Sequence, residues 1–151
     1  MNRKFDKDKI KLAAIDLDGT ILTKSFVTDE VKAAVTRLAE SGVETVVATG
    51  RHLFQLPPSV MEISSFQNGI GSNGALVGNM RDRITFSFDG FDLDTAVNFL
   101  HWLPTITKAF HMAFQDGTGY LMKEDYDRLL ALQPSDAERE KSSREYRRVY
   151  T

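Results

Sequence analysis

From residue 10 the chain carries a short, mostly apolar run, Ile-Lys-Leu-Ala-Ala-Ile-Asp-Leu, with apolar side chains at both odd and even positions. A half-solvated strand would alternate. This run therefore predicts a strand over 10–17 covered on both faces of a parallel sheet. The period then changes: Val31, Ala34, Val35, Leu38 and Ala39 recur at helical spacing, which marks an amphipathic helix. Thr28 is placed to cap its start, Asp29 and Glu30 suit the positive end of its dipole, and Gly42 can close it. Residues 43–48, Val-Glu-Thr-Val-Val-Ala, read as a second strand. Strand, helix and strand in that order predict one right-handed βαβ unit.

Beyond Arg51, the pair Pro57-Pro58 breaks or restarts any helix that follows. A third strand is expected near 70–72, a short one over 75–78 and another over 84–88, the last with alternating character. Leu93, Ala96, Val97 and Leu100 mark a helix stopped by Pro104, and 110–114 with 119–122 can form a hairpin across Gln115-Asp116-Gly117-Thr118. From Gln133 onward acids and bases interleave through 136–148 with almost no apolar face. That suits a solvated helix or tail and not a core element. No internal repeat interrupts this order. The fold class it implies is α/β.

Composition narrows the picture. With 151 residues, 42% of them hydrophobic, the chain can bury a core. The 19 Lys and Arg against 21 Asp and Glu give no basic excess of the kind a nucleic-acid surface needs. The absence of cysteine excludes disulfides and thiolate metal sites. The charged start, Met-Asn-Arg-Lys-Phe-Asp-Lys, lacks the apolar run of a signal peptide, and no stretch approaches the roughly 20 apolar residues of a membrane span. A soluble, cytoplasmic protein with neither nucleic-acid nor membrane partner is the expectation.

The chemistry gathers where the first strand ends, at Asp16-Leu17-Asp18-Gly19-Thr20. Side chains two apart on a strand share a face, so both carboxylates can look into the crevice at the strand's carboxyl end. They repel unless a cation lies between them, which makes binding of a hard metal natural. One can attack phosphorus, and the other can protonate the leaving oxygen and later take a proton from water. The bland alternative is a turn whose acids only cap backbone amides. A calcium-binding EF-hand loop starting at Asp16 requires glycine at position 21 and glutamate at position 27, where the chain has Ile21 and Val27. A metal-only Asp-x-Asp site has no need of the following Gly19-Thr20.

This segment resembles the first motif of haloacid dehalogenase (HAD) phosphatases. Thr49-Gly50-Arg51, closing the second strand, resembles the second motif, and Ser72-Asn73-Gly74-Ala75 resembles the segment that precedes the α/β cap in the Cof-type subfamily. The match is ordered from about Leu12 to Val77. It implies a partial Rossmann-like HAD core over 1–80, the opening of an inserted α/β cap over 81–132 and a charged helix or tail over 133–151. It further implies that Asp16 is the nucleophile, Asp18 the general acid/base, and Mg2+ the cofactor, held by the Asp16 carboxylate and the Asp18 carbonyl. Thr49 and the amide of Gly50 would bind phosphate, Gly19 would permit its close approach, Asn73 and Gly74 would line the site, and Arg51 would support the pocket. For Thr49 a strand-end turn role is the alternative, and for Arg51 and Asn73 a surface or turn-stabilising one.

The family's third motif, a lysine, and its fourth, Gly-Asp-x-x-x-Asp, follow the cap, and the chain is expected to end inside it. Asp89-Gly90-Phe91-Asp92 has its glycine on the wrong side for a substitute, and Lys123-Glu124-Asp125 is expected to lack a buried strand in front of it. His52, His101 and His111 have no metal-ligand spacing. Without the second half, the first strand becomes an open edge, a template for self-association or for a complementary chain. The resemblance thus implies a magnesium-dependent hydrolase of small phosphorylated metabolites, sugar phosphates or phosphorylated cofactors, working through an aspartyl-phosphate. The alternative is a non-catalytic fragment that needs a complementary chain.

Overall fold

The computed structural model describes residues 9–23, 26–115 and 118–148. They form two compact units that divide between Asp89 and Gly90.

In the first unit β1 (Leu12–Asp16), β2 (Glu44–Ala48) and β3 (Asn68–Gly71) are parallel, while β4 (Leu76–Asn79) and β5 (Ile84–Phe88) continue the sheet antiparallel, in the order β1-β2-β3-β4-β5. α1 (Asp29–Glu40) joins β1 to β2. Its N-cap is Thr28, whose side chain accepts from the Val31 amide, and its first turn holds Asp29 and Glu30. A 3-10 turn at Leu53–Gln55 and α2 (Pro58–Met61) follow β2. Proline opens α2 at a position where its missing N–H costs nothing. Leu17, Val35, Val47, Leu53, Val60, Ile63 and Phe66 fill the core, together with Leu76 of β4 and Met80 just after it.

Coverage of both faces belongs to β2, where Thr45, Val46 and Val47 are all buried. The first strand departs from expectation here. β1 lies at the sheet edge, as the sequence reading implies, but its faces are not both covered: Leu12, 53% exposed, shares an open face with Ala14 and Asp16. Only Ala13 and Ile15 are half-covered, because one face and one edge of β1 meet no neighbour among the described residues. Residues 84–88, which the sequence grouped with the opening of the cap, pair with β4 in the first unit.

The second unit holds α3 (Leu93–Trp102), a 3-10 turn at Leu103–Thr105, the hairpin β6 (Ala113–Gln115) and β7 (Thr118–Leu121), α4 (Lys123–Ala131), α5 (Asp136–Glu145) and β8 (Tyr146–Arg148). β6 and β7 are antiparallel and β8 joins β7 in parallel. One expectation holds in part and another fails. The charged C-terminal stretch is a solvated helix as far as Glu145 but then supplies a strand, whose place depends on β7 and not on its own composition. Lys123-Glu124-Asp125 does follow a strand with a buried end, Leu121. Its inward acid, Asp125, is spent on His111, accepting from the His111 backbone N–H at 3.0 Å and lying 3.2 Å from Nδ1.

Candidate functional site

Parallel strands bring their carboxyl ends to one edge, so β1, β2 and β3 deliver Asp16, Thr49 and the Ser72-Asn73-Gly74 turn to the same rim. Asp16 is the last residue of β1, in register with Ala48 of β2. The Thr20 hydroxyl donates to its Oδ2 at 2.8 Å. That bond crosses a tight turn in which Thr20, Ile21 and Leu22 amides all donate to the Leu17 carbonyl. Gly19 takes φ 78°, a left-handed value that a side chain resists. An added Cβ would meet nothing within 4 Å there, so the glycine serves the turn.

Asp18 faces the second loop. The Arg51 guanidinium forks onto it, with Nε donating to Oδ2 at 2.8 Å and one terminal nitrogen to Oδ1 at 2.7 Å. The hydrogen bonds from Arg51 are the main reason that the Asp18 carboxyl lies below its ordinary value, with slight burial opposing and the Arg51 charge adding to them. Both side chains are well exposed, 54% for Asp18 and 37% for Arg51. Solvent therefore screens the pair to about 0–1 kcal/mol.

Thr49 is buried, and its Oγ1 accepts the Arg51 backbone N–H at 3.1 Å. With that lone pair used, the hydroxyl hydrogen can still be donated to an acceptor. The third loop is tied to the second: the Ser72 N–H donates to the Arg51 carbonyl at 2.9 Å and the Asn73 N–H to the Thr49 carbonyl at 3.3 Å. Ser72 and Asn73 have φ of 51° and 55°. For Ser72 that backbone costs about 1 kcal/mol or more, which the surrounding bonds must hold in place. The Asn73 side chain lies against Gly50.

Every residue nominated from the sequence thus lies on these three adjoining loops: Asp16, Asp18 and Gly19 on the first, Thr49, Gly50 and Arg51 on the second, Asn73 and Gly74 on the third. Sequence reasoning gave no site role to Thr20 or Ser72, although both stand inside the quoted motifs. It also set aside the buried His111–Asp125 pair of the second unit, which no spacing signals. A hollow of about 470 Å³ lined by Phe26, Thr28, Lys32, Ser59 and Glu62 contains none of the nominated residues. Among the described residues no three His, Cys, Asp or Glu side chains cluster as a ready-made metal cage.

With acids, a hydroxyl and loop amides at the carboxyl edge of its parallel strands, the first unit is an α/β domain of Rossmann-like design. The chain belongs to the haloacid dehalogenase-like hydrolase family, whose model matches residues 13–150. It is 35% identical over 96 residues to the phosphatase YwpJ of Bacillus subtilis, covering 62% of this chain and 33% of that protein. It is 32% identical over 119 residues to the 5-amino-6-(5-phospho-D-ribitylamino)uracil phosphatase YcsE of the same species, covering 71% of this chain and 47% of that one. The chain therefore spans about a third to a half of the length of these relatives. A solved haloacid dehalogenase-like hydrolase from B. subtilis matches with a TM-score of 0.67 at 24% identity, over 93% of this chain and 54% of that one. One from Bacteroides thetaiotaomicron gives 0.66 at 18%, over 95% and 53%. These two likenesses bear on the fold. No helix among the described residues is long and apolar enough to cross a membrane.

Proposed function

We propose that the chain carries the phosphoryl-transfer half of a phosphomonoester hydrolase acting on small phosphorylated metabolites. What supports this reading is that Asp16, Asp18 and Thr49 stand at or just after the carboxyl ends of adjacent parallel strands, in a chain similar to named phosphatases. A sugar phosphate or phosphorylated cofactor fits the relatives' chemistry, since one of them is named for a ribityl phosphate substrate.

In this mechanism an Asp16 carboxylate oxygen attacks phosphorus. The bond from phosphorus to the ester oxygen breaks, and that oxygen takes a proton from the Asp18 carboxyl. Water then attacks the aspartyl-phosphate, giving its proton to the Asp18 carboxylate as the bond between phosphorus and Asp16 breaks and phosphate leaves. Thr49 donates its hydroxyl to a phosphoryl oxygen, and the loop amides, including that of Gly50, orient the group.

Magnesium suits the donors at hand. They are hard oxygens, the Asp16 carboxylate and the Asp18 carbonyl, with no thiolate in the chain to favour a softer ion. Mg2+ is commonly held by one or two carboxylates, with waters and substrate phosphate completing the shell, so the lack of a three-acid cluster among the described residues is compatible with it. When bound, the ion neutralises charge on the phosphoryl oxygens.

The test is hydrolysis of p-nitrophenyl phosphate by the purified chain with magnesium chloride, beside an Asp16→Asn control. Turnover lost in the control supports the reading. Folded protein without turnover removes it as an activity of this chain and favours a fragment that needs a complementary chain.

A further inference from the structure

We propose that Arg51 is shared between two anions, and that an arriving phosphoryl group takes the guanidinium from Asp18 and so releases Asp18 for its work. The inference rests on the phosphoryl-transfer reading of the crevice and adds a substrate-operated latch to it.

Four observations lead there. First, both oxygens of Asp18 accept from Arg51, at 2.8 and 2.7 Å. A carboxylate gripped on both oxygens has its best-placed lone pairs engaged, so this is an idle arrangement for a proton carrier. Second, the pair is too exposed to be a permanent strut, with Asp18 54% and Arg51 37% open to solvent. Its small screened energy lets another anion compete. Third, the Arg51 backbone is pinned, its N–H on the Thr49 hydroxyl and its carbonyl under the Ser72 amide. The exchange is thus a side-chain rotation that leaves the loops in place. Fourth, the rival anion is expected next door. Arg51 follows Thr49 and Gly50 directly, and a guanidinium fork fits two oxygens of a phosphate as well as those of a carboxylate, with more negative charge to meet.

Arg51 is therefore a positioning residue for Asp18 in the empty site and a phosphate ligand in the filled one. This differs from a fixed salt bridge in one measurable way: Asp18 and phosphate compete for the same cation.

A double-substitution cycle reads that competition directly, with binding of inorganic phosphate followed by calorimetry in magnesium chloride. The proteins are the 151-residue chain, Asp18→Asn, Arg51→Gln and the double variant, each checked for folding by circular dichroism. Asp18→Asn is expected to tighten phosphate binding by up to about fivefold, the lower end of ordinary coupling. In the Arg51→Gln background the same substitution is expected to gain much less. An equal gain in both backgrounds overturns the proposal, since charge removal alone then explains it. No gain in either overturns it as well. Thr49→Ala separates the two levels of the argument. Phosphate binding that this variant abolishes, without coupling between Asp18 and Arg51, sinks the latch and spares the phosphatase reading. Absence of phosphate binding throughout sinks both. A second measurement needs no variant: the Arg51 Nε–H nuclear resonance of the wild-type chain shifts as phosphate is added, and a resonance that saturating phosphate leaves in place refutes the exchange.

Discussion

The side-chain oxygen of Asn73 stands where a methyl group on Gly50 would need to be: a Cβ built on Gly50 lies 2.9 Å from it. The contact joins the loop after β2 to the turn after β3, already linked through the Asn73 N–H and the Thr49 carbonyl. Gly50→Ala therefore pushes the Asn73 amide aside while leaving the backbone ties intact. Because the displaced group is the end of a side chain, thermal stability should change by less than about 1 kcal/mol. On the proposed phosphatase reading, turnover should suffer more, since misplacing a site group by about 1 Å can cost up to about 10²-fold. Unfolding curves and p-nitrophenyl phosphate kinetics on the same variant check the split. Unchanged kinetics would remove Asn73 from the site.

Thr49 offers a test by graded replacement. Thr49→Val keeps the shape and removes the oxygen that accepts the Arg51 N–H at 3.1 Å. It leaves a donor short of its partner, at about 1–3 kcal/mol if the amide stays buried, and it takes away the hydroxyl offered to phosphate. Thr49→Ser retains both bonds. The expected order of phosphate affinity is wild type, then serine, then valine far behind. Serine as weak as valine would assign Thr49 a packing role only.

In the second unit, Asp92 caps α3, with Oδ1 accepting the Thr95 N–H and Oδ2 the Thr95 hydroxyl, each at 2.8 Å. The backbone hydrogen bond from Thr95, followed by that from its hydroxyl, holds the Asp92 carboxyl below its ordinary value of 3.8. A depressed carboxyl stabilises fully above the unfolded value and loses that contribution as pH falls through the folded one. Asp92→Ala should therefore lower the helix's melting temperature at pH 7, and the gap from wild type should close in acid below pH 3.8. Circular dichroism melts at the two pH values check it. A gap that persists undiminished in acid would contradict the carboxylate's part in the cap.

Local signals explain what the sequence made legible. The 3.6 period of Val31, Val35 and Leu38 and the cap at Thr28 made α1 legible, and the valine-rich run ending at Ala48 made β2 legible. The residues now gathered on the rim were nominated because they stand in short motifs at or just after strand ends. What escaped was set by partners far along the chain. The fork of Arg51 on Asp18 spans 33 positions and the His111–Asp125 pair spans 14, and no period encodes either. Tyr146–Arg148 has one large apolar residue and becomes a strand only beside β7. The open face of β1 escaped for the same reason, because a strand's composition permits coverage without supplying the neighbour that covers it.

The last prediction concerns β5, every residue of which is exposed. Ile84, Phe86 and Phe88 gain little from burial, so the ladder to β4 is what holds the strand. At the register shift between Val77 and Gly78 the two backbones come unusually close. A Cβ on Gly78 would lie 2.4 Å from the Ile84 carbonyl oxygen and 3.3 Å from its carbon. Backbone atoms cannot step aside as a side-chain end can. Gly78→Ala must therefore part β4 from β5 locally, at about 1–3 kcal/mol by the usual cost of overpacking. The loss should be confined to that edge. Amide hydrogen exchange is expected to accelerate across Ile84–Phe88, while β2 keeps its protection because Val46 and Val47 lie in covered positions three strands away from β5. Uniform acceleration across the sheet would show instead that β5 belongs to the same cooperative unit as the core, and unaltered exchange would show that the two backbones can separate without cost.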